Sequence, residues 1–566
     1  MKVADYIVKF LGEKGIEHVF GYPGGMVTHL MEAFSKVTNP KAHINYHEQA
    51  AAFSACGYAQ ASGKVGVAYA TSGPGATNML TGICNAYFDS IPVIFITGQV
   101  NSYEMKNGLK IRQRGFQETN IISMVGECTK YCECVTNKEK IRFCLEKAWY
   151  VASEGRPGPV LLDIPMDILK SEIEVEELEK FNIPQQKENR DEEYIQVIRE
   201  YLSNAKRPCI LIGAGVKIAN KENEIRSQLE KWSIPVVSSM IAYDVMGDSD
   251  NYYGYIGAYG DRCANFIVAK SDLLLVIGSR LDIRQVGIHR EKFAENAKIV
   301  RIDIDKRELD YRIRQDDITI QCDIKDFIKK CSDLEINCVE YNEWRNICDE
   351  IKNKLYNIDI YKPNKLISSL SKKSSENIII TTDVGQNQVW IAQSYKIVGK
   401  QKVLFSGGHG AMGYSLPAAI GAYYGSGRPV ICFNGDGGFQ MNMQECQFIA
   451  REKLPILIVI FNNHALGMIR HFQEMYFDKN YYQTIEREGY EAPRFDMLAK
   501  AFNFKYQKIV EIKDIDNIEW DMKSPTMLEI LINEDTYVFP KLEFGKDNQD
   551  QVPLIPRKLY NYLMEL

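Results

Sequence analysis

Two short segments carry the residues best placed to do chemistry. Asn434-Gly435-Asp436-Gly437-Gly438 follows the apolar run at 429–433, and Asn462-Asn463 follows the apolar run at 455–461. An amphipathic stretch separates the runs, so they read as parallel strands joined by a helix. A right-handed crossover brings the C-terminal ends of such strands to one sheet edge, where open α/β sheets bind ligands. Asp436 and Asn463 then arrive together. A carboxylate beside an amide oxygen is a hard donor pair suited to Mg²⁺, which keeps its other positions for water and phosphate. Gly435, Gly437 and Gly438 let backbone N–H groups approach a diphosphate. GDG alone is more often a plain strand-to-helix turn; with paired asparagines at the next strand end it is far more specific.

A second carboxylate stands at another strand end. The run at 42–46 passes straight into an Ala-rich helix, and Glu48 falls in that helix's first turn. Alone, such a glutamate is most simply a partner of the helix dipole. GYPGG at 21–25 ends a further strand, and Gly25 is placed to offer an N–H to an oxyanion. ATSGPGATN at 70–78 reads as a tight turn with no chemistry beyond lining the site. ILIGAG at 210–215 ends in Gly213-x-Gly215, weak evidence for a nucleotide by itself.

The elements that position these residues alternate strand and helix along 566 residues. Strands are expected at 18–24, 42–46, 65–73 and 92–98, with the run to Asp167 closing a first segment. A charged stretch at 170–193 reads as a linker. Strands near 208, 235, 273 and 298 form a second segment, about 194–345, and a polar connection at 346–365 leads to a third. That segment holds strands near 378, 402, 429, 455 and 525. Domains at 1–170, 190–345 and 362–545, with a tail at 546–566, follow. Each reads as a doubly wound, mostly parallel α/β sheet.

A net charge of −6 argues against a nucleic-acid partner. The N-terminus is amphipathic rather than signal-like, and no apolar run reaches the roughly 18 residues of a membrane span. The 14 cysteines are scattered. Cys132 and Cys134 form a CxC without a second pair, so reduced thiols and a cytoplasmic location are expected.

Taken together, YHEQAAA (46–52), ATSGPGATN, FQET (116–119), GRPGPVLLDIP (155–165), SDLLLVIGSRLD (271–282), TDVGQNQVWIAQ (382–393), GGHGAMGYSLPAAIGA (407–422), GDGGFQMNMQE (435–445) and NNHALGMIRHFQ (462–473) resemble the catalytic subunits of the acetolactate (acetohydroxyacid) synthase family. These are thiamine-diphosphate enzymes of branched-chain amino-acid biosynthesis. The resemblance implies three domains, pyrimidine-binding, FAD-binding and diphosphate-binding. It implies a transferase that decarboxylates pyruvate and passes the two-carbon unit to a second 2-keto acid, giving 2-acetolactate. It also implies a homodimer or homotetramer with active sites between subunits, and a possible regulatory subunit.

Residue roles carry over on the same basis. Glu48 would bond N1′ of the aminopyrimidine from an apolar, dry site. Asp436, Asn463 and the Ala465 carbonyl would hold Mg²⁺. Val384, Gly385, Gln386, Gly410, Gly437, Gly438, Leu466, Gly467 and Met468 would line the cofactor, with Met412 wedged beneath it. Gly25, Phe116 and Gln117 would face the substrate. Arg156, Gly213, Gly215, Arg280 and Asp303 would contact a structural FAD.

The departures fall mainly on the acceptor side. Asn387 replaces a diphosphate-contacting histidine, and Met26 replaces a small residue. The connection 99–116 is longer than usual and brings Lys106, Lys110, Arg112 and Arg114 toward the substrate entrance. Phe472 stands where the synthases carry a tryptophan that favours 2-ketobutyrate. The rival reading keeps the donor chemistry and takes another acceptor, such as a keto-sugar nucleotide. A flavin/nicotinamide oxidoreductase leaves Glu48 and the GDG…NN pair unexplained.

Overall fold

The computed structural model describes residues 1–184, 193–331, 341–356, 358–519 and 522–566. Residues 185–192 of the expected linker, and 357 of the expected polar connection, lie outside the described residues.

The apolar runs form the central strands of three six-stranded sheets, all with parallel ladders. The first holds β1 (His18–Gly21), β2 (Lys41–Ile44), β3 (Gly66–Ala70), β4 (Val93–Gln99), β5 (Tyr131–Cys134) and β6 (Val160–Pro165), in the order β2-β1-β3-β4-β6-β5. The second holds β7 (Pro208–Ile212), β8 (Val236–Ser238), β9 (Tyr252–Tyr255), β10 (Leu273–Ile277), β11 (Lys298–Asp303) and β12 (Ile318–Gln321), in the order β12-β11-β10-β7-β8-β9. The third holds β13 (Ile379–Thr382), β14 (Lys402–Leu404), β15 (Val430–Gly435), β16 (Ile456–Asn462), β17 (Lys505–Ile509) and β18 (Thr526–Leu531), in the order β14-β13-β15-β16-β18-β17.

The first and third sheets share one strand order, a repeat of structure that the sequence did not reveal. The middle sheet has the 3-2-1-4-5-6 order of dinucleotide-binding sheets.

Four strands, β5, β9, β12 and β17, are absent from the sequence-based expectation. All four are edge strands, and all carry half-buried or exposed residues where β4, β10 and β16 are buried throughout. An edge strand packs less, so its sequence is less apolar. The expected polar connection at 346–365 is also largely helical. Asn342–Leu355 buries Trp344, Cys348, Ile351 and Leu355, one face at helical spacing, and a second helix runs Lys362–Lys373. Their polar faces hid the helices.

The chain gathers into two compact units. One comprises Met1–Gln186, Asn377–Gln388 and Lys402–Glu534, and so holds the first and third sheets. The other comprises Lys187–Glu376, Val389–Gln401 and Asp535–Leu566. In that second unit the chain terminus is docked. Arg262, nearly fully buried, pairs with Asp359 and donates to the carbonyls of Gln551 and Pro553, while Leu563 is buried in the terminal helix.

In the first unit, helix Glu48–Ser62 packs on helix Ser415–Ser426. Both follow the second strand of their sheet. Small residues set the approach: a Cβ on Gly421 would lie 1.8 Å from the Ser54 carbonyl oxygen, and one on Gly57 would lie 2.2 Å from that of Ala418. Ser54 Oγ donates to the Pro417 carbonyl at 2.9 Å, and Phe53 meets Tyr414 edge-on at 5.5 Å.

Gly421→Ala is therefore expected to destabilise the protein by about 1–3 kcal/mol through forced separation of the helices. Gly126→Ala, with no atom within 4 Å of the new Cβ, is expected to stay within about 0.5 kcal/mol of wild type. Thermal unfolding checks the pair; equal midpoints would disprove the packing constraint.

Candidate active site

The site of the third sheet lies where its strand order reverses, between β13 and β15. Asp383, Val384 and Gly385 leave β13 there, and Asp436 follows β15 as the first residue of helix Asp436–Met441. β15 pairs with β16, whose end leads into Asn463. The adjacent strand ends thus deliver Asp436 and Asn463 to one edge.

Asp436 is buried, and only one of its oxygens is used inward: Oδ1 accepts from the Gly437 N–H at 2.9 Å, while Oδ2 has no hydrogen-bond partner. Burial pushes its carboxyl up to about 7, against the pull of the Gly437 and Ala465 N–H groups and the Tyr490 hydroxyl, of which only the Gly437 N–H makes a full hydrogen bond to it. Asn463 Oδ1 accepts from the Ala465 N–H at 3.3 Å, and its Nδ2 donates to Gln386 Oε1 at 3.0 Å. Asn387 is buried with neither amide atom partnered, and its Nδ2 would be 3.4 Å from a Cβ on Gly435. A buried carboxylate oxygen and a buried amide without partners call for a ligand.

The glycines around these groups bring backbone and side chains close together. A Cβ on Gly467 would strike Gln386 Oε1 at 2.0 Å, and one on Gly437 would meet Leu466 at 2.7 Å and the Met412 methyl at 3.6 Å. Gly410 (φ +69°) has open space about it, and Met468 is half-buried in helix Gly467–Tyr476. A free carboxylate oxygen, an amide oxygen and a glycine-lined cradle fit Mg²⁺ and a diphosphate.

In the first sheet, Glu48 begins helix Glu48–Ser62 behind His47, whose Nδ1 accepts from the Gln49 N–H at 3.0 Å. Glu48 is buried, but its surroundings are not wholly apolar: Asn78 Nδ2 donates to Oε2 at 2.9 Å. Segment 70–78, read as a lining turn, therefore supplies a partner for Glu48. Gly75 leaves space for the other oxygen, since a Cβ there would lie 3.3 Å from Oε1. Gly25 is exposed in the turn Gly25–Val27. Phe116 is 81% exposed, and Gln117 (φ +64°) lies against Gly73.

The remaining expected residues are dispersed between the units. Arg156, in the first unit, donates from Nε to Ser90 Oγ at 2.8 Å. In the second unit, Gly213 and Gly215 end β7 beside Gly278 after β10; a Cβ on Gly213 would lie 2.2 Å from the Gly278 carbonyl. Backbone packing thus accounts for these glycines without a nucleotide. Arg280 is half-exposed, 3.9 Å from Asp282, and Asp303 Oδ1 accepts from the Asp305 N–H at 2.9 Å.

Three family models match in chain order: the thiamine pyrophosphate enzyme N-terminal TPP binding domain at 1–124, the central domain at 195–331 and the C-terminal TPP binding domain at 383–530. The chain is 35% identical to the acetolactate synthase large subunit of Lactococcus lactis, over 97% of this chain and 95% of that one. It is 34% identical to acetolactate synthase isozyme 2 large subunit of Escherichia coli, over 98% and 99%, and 34% identical to a probable acetolactate synthase large subunit of Methanocaldococcus jannaschii, over 98% and 94%. The chain belongs to the acetolactate synthase large-subunit family. It is a thiamine-diphosphate-dependent enzyme of the carboligase transferase type.

Members of this family are read most readily from their glycines and GDG, which hides the residues that brace the site. Asp383 is one. Its Oδ1 and Oδ2 accept from the Gly413 and Ser415 N–H groups, both at 3.0 Å, fixing the turn that carries Met412. Burial pushes it up to about 6 against those bonds. Glu445 is another, accepting from Asn45 Nδ2 at 2.9 Å and the Tyr46 N–H at 2.8 Å, just before Glu48. Both lie inside quoted motifs, TDVG and MNMQE; their burial is the missing signal.

Asp436→Ala is expected to abolish binding of thiamine diphosphate with Mg²⁺ while far-ultraviolet circular dichroism stays unchanged. Calorimetric titration checks this, and wild-type affinity in the variant removes Asp436 from the site.

Proposed function

We propose that the chain decarboxylates pyruvate and joins the resulting two-carbon unit to a second 2-keto acid, giving 2-acetolactate. The observation that carries this reading is the unpartnered oxygen of Asp436 beside Asn463, in a chain matching acetolactate synthase large subunits almost end to end. Thiamine diphosphate, when bound, would supply a thiazolium carbon acidic enough to give up its proton and able to take up the charge left by CO₂. Asp436, Asn463 and the Ala465 carbonyl hold Mg²⁺. Glycine N–H groups after β15 and the Asn387 amide meet the diphosphate. Glu48 holds a proton at N1′ of the pyrimidine, and Asn78 fixes its rotamer. Met412, an unbranched apolar side chain, would pack against the cofactor. Gly25, Phe116 and Gln117 face the acceptor.

The second unit would hold a structural FAD. The Gly213–Gly215 turn, Arg280 and Asp303 stand at or just beyond the C-terminal ends of β7, β10 and β11, adjacent strands at the reversal of a dinucleotide-type sheet. Arg156 is a second candidate contact. The active form is a homodimer or homotetramer with sites between chains; exposed Phe116, Phe472 and Phe477 are surface that pairing would bury. Relatives named large subunits support a regulatory small subunit. The setting is cytoplasmic branched-chain amino-acid synthesis; among the described residues no helix is long and apolar enough to cross a membrane. The keto-sugar alternative is not favoured.

Pyruvate alone is expected to yield CO₂ and acetolactate. Glu48→Gln is expected to keep the cofactor but slow exchange of its C2 proton by about 10²–10⁴-fold. NMR reads that exchange, and a wild-type rate would clear Glu48 of the role.

Phe472 is partly exposed, its ring 4.8 Å from that of Tyr476. A phenyl offers less face than an indole to the extra methyl of 2-ketobutyrate, worth about 1–3 kcal/mol in full. Little preference for 2-ketobutyrate over pyruvate is expected, and Phe472→Trp should raise it. A competition assay reads the product ratio; strong wild-type preference contradicts the argument.

A further inference from the structure

The connection between β4 and residue 121 is a built structure fixed at both ends. At its start, Ser102 donates from N and Oγ to the two oxygens of Asp167, at 2.8 and 2.6 Å. At its end, Gln99 Nε2 donates to the Thr119 carbonyl at 2.8 Å and to buried Asp163 at 2.9 Å. Between these anchors one carboxylate makes three of the bonds that close the loop, beside single ones from Asn107 Nδ2 to the Ser102 carbonyl at 3.2 Å and from Gln113 Nε2 to the Glu118 carbonyl at 3.1 Å. Glu118 Oε1 accepts from the Lys106 N–H at 2.7 Å, and Oε2 accepts from the N–H groups of Arg114 and Gly115 at 2.8 and 3.2 Å. Partial burial raises the Glu118 carboxyl, but the three N–H groups outweigh it and hold the group below its usual range. Lys110, Arg112 and Arg114 are exposed, and Arg114 donates from Nη1 back to the Met105 carbonyl at 3.3 Å. The neighbours of Glu118 on its N-terminal side are Phe116 and Gln117.

We propose that Glu118 is a positioning residue for acceptor selection: by closing the loop 106–118 it holds Phe116 and Gln117 as a fixed wall on the acceptor side. This rests on the acceptor-side role given to those two residues above. Both carboxylate oxygens are committed to backbone donors. A glutamine would turn its NH₂ against one set of N–H groups, and only aspartate keeps a carboxylate there. The donor half, Glu48 and the strand ends at Asp436 and Asn463, makes none of these bonds.

The loop carries its own probe, four trypsin sites at Lys106, Lys110, Arg112 and Arg114. Loss of hydrogen bonds to a charged acceptor predicts cleavage roughly tenfold faster in Glu118→Gln and Glu118→Ala. Glu118→Asp should recover part of the resistance, with circular dichroism confirming that each variant is folded. With pyruvate saturating, the KM for 2-ketobutyrate should rise roughly tenfold in Glu118→Gln, while single-turnover CO₂ release keeps its wild-type rate. Unchanged cleavage overturns the closure. Faster cleavage with unchanged acceptor KM, or with slowed CO₂ release, overturns the acceptor role. A wild-type enzyme that makes neither acetolactate nor acetohydroxybutyrate sinks the functional reading and the acceptor role with it, and the cleavage rates then decide the closure alone.

Discussion

The close packing of helix Glu48–Ser62 on helix Ser415–Ser426 is the constraint from which the catalytic unit is built. Each helix follows the second strand of a sheet with the same strand order, so two like halves meet on equivalent elements. Alanine and glycine faces let the backbones approach until a single added Cβ would overlap a carbonyl oxygen. An approach that close leaves little sliding freedom. The first turns of both helices are thereby fixed, and both are marked by a carboxylate: Glu48 within one, Asp383 capping the other through Gly413 and Ser415.

The two halves of the diphosphate region use buried polar groups in opposite ways. Asp383 is fully satisfied by backbone donors and stabilises a turn. Asp436 keeps one oxygen unpartnered, and Asn387 keeps both amide atoms so. An unsatisfied buried group costs about 1–3 kcal/mol, a cost that only a bound ligand removes. Satisfied groups brace each side, Asp383 beside Gly438 and Glu445 at the strand end before Glu48.

Much of this was legible in the sequence because central strands and strand-end glycines leave strong local signals. PVICF before GDG and PILIVIF before the paired asparagines place Asp436 and Asn463 without any coordinates. Edge strands such as β5 and β17 left no such signal, since half-exposed residues carry no sustained apolar pattern. Helix Asn342–Leu355 hid behind its charged face. Asn78 was invisible for another reason. Its partnership with Glu48 joins residues brought together by sheet order, and no local pattern encodes a contact between two different strand-to-helix connections. The glycines of ILIGAG carry a double signal: contact with Gly278 already requires them, whether or not a nucleotide binds at the same turn.

The donor and acceptor halves differ in what holds them. Glu48, Asp436 and Asn463 sit at or just beyond the ends of sheet strands, and all three are buried. Phe116 and Phe472 sit on a loop and on an outward helix face, and both are exposed. Substitutions at strand ends disturb the core; substitutions on loops do not. The departures from the family pattern obey this division. Phe472 and the middle of the long 99–116 connection are exposed and Met26 is half-buried, whereas the buried exception, Asn387, exchanges one polar group for another inside the cradle. On the proposed roles, acceptor choice can therefore drift on an unchanged scaffold, while the groups assigned to proton handling and metal binding stay tied to the sheets.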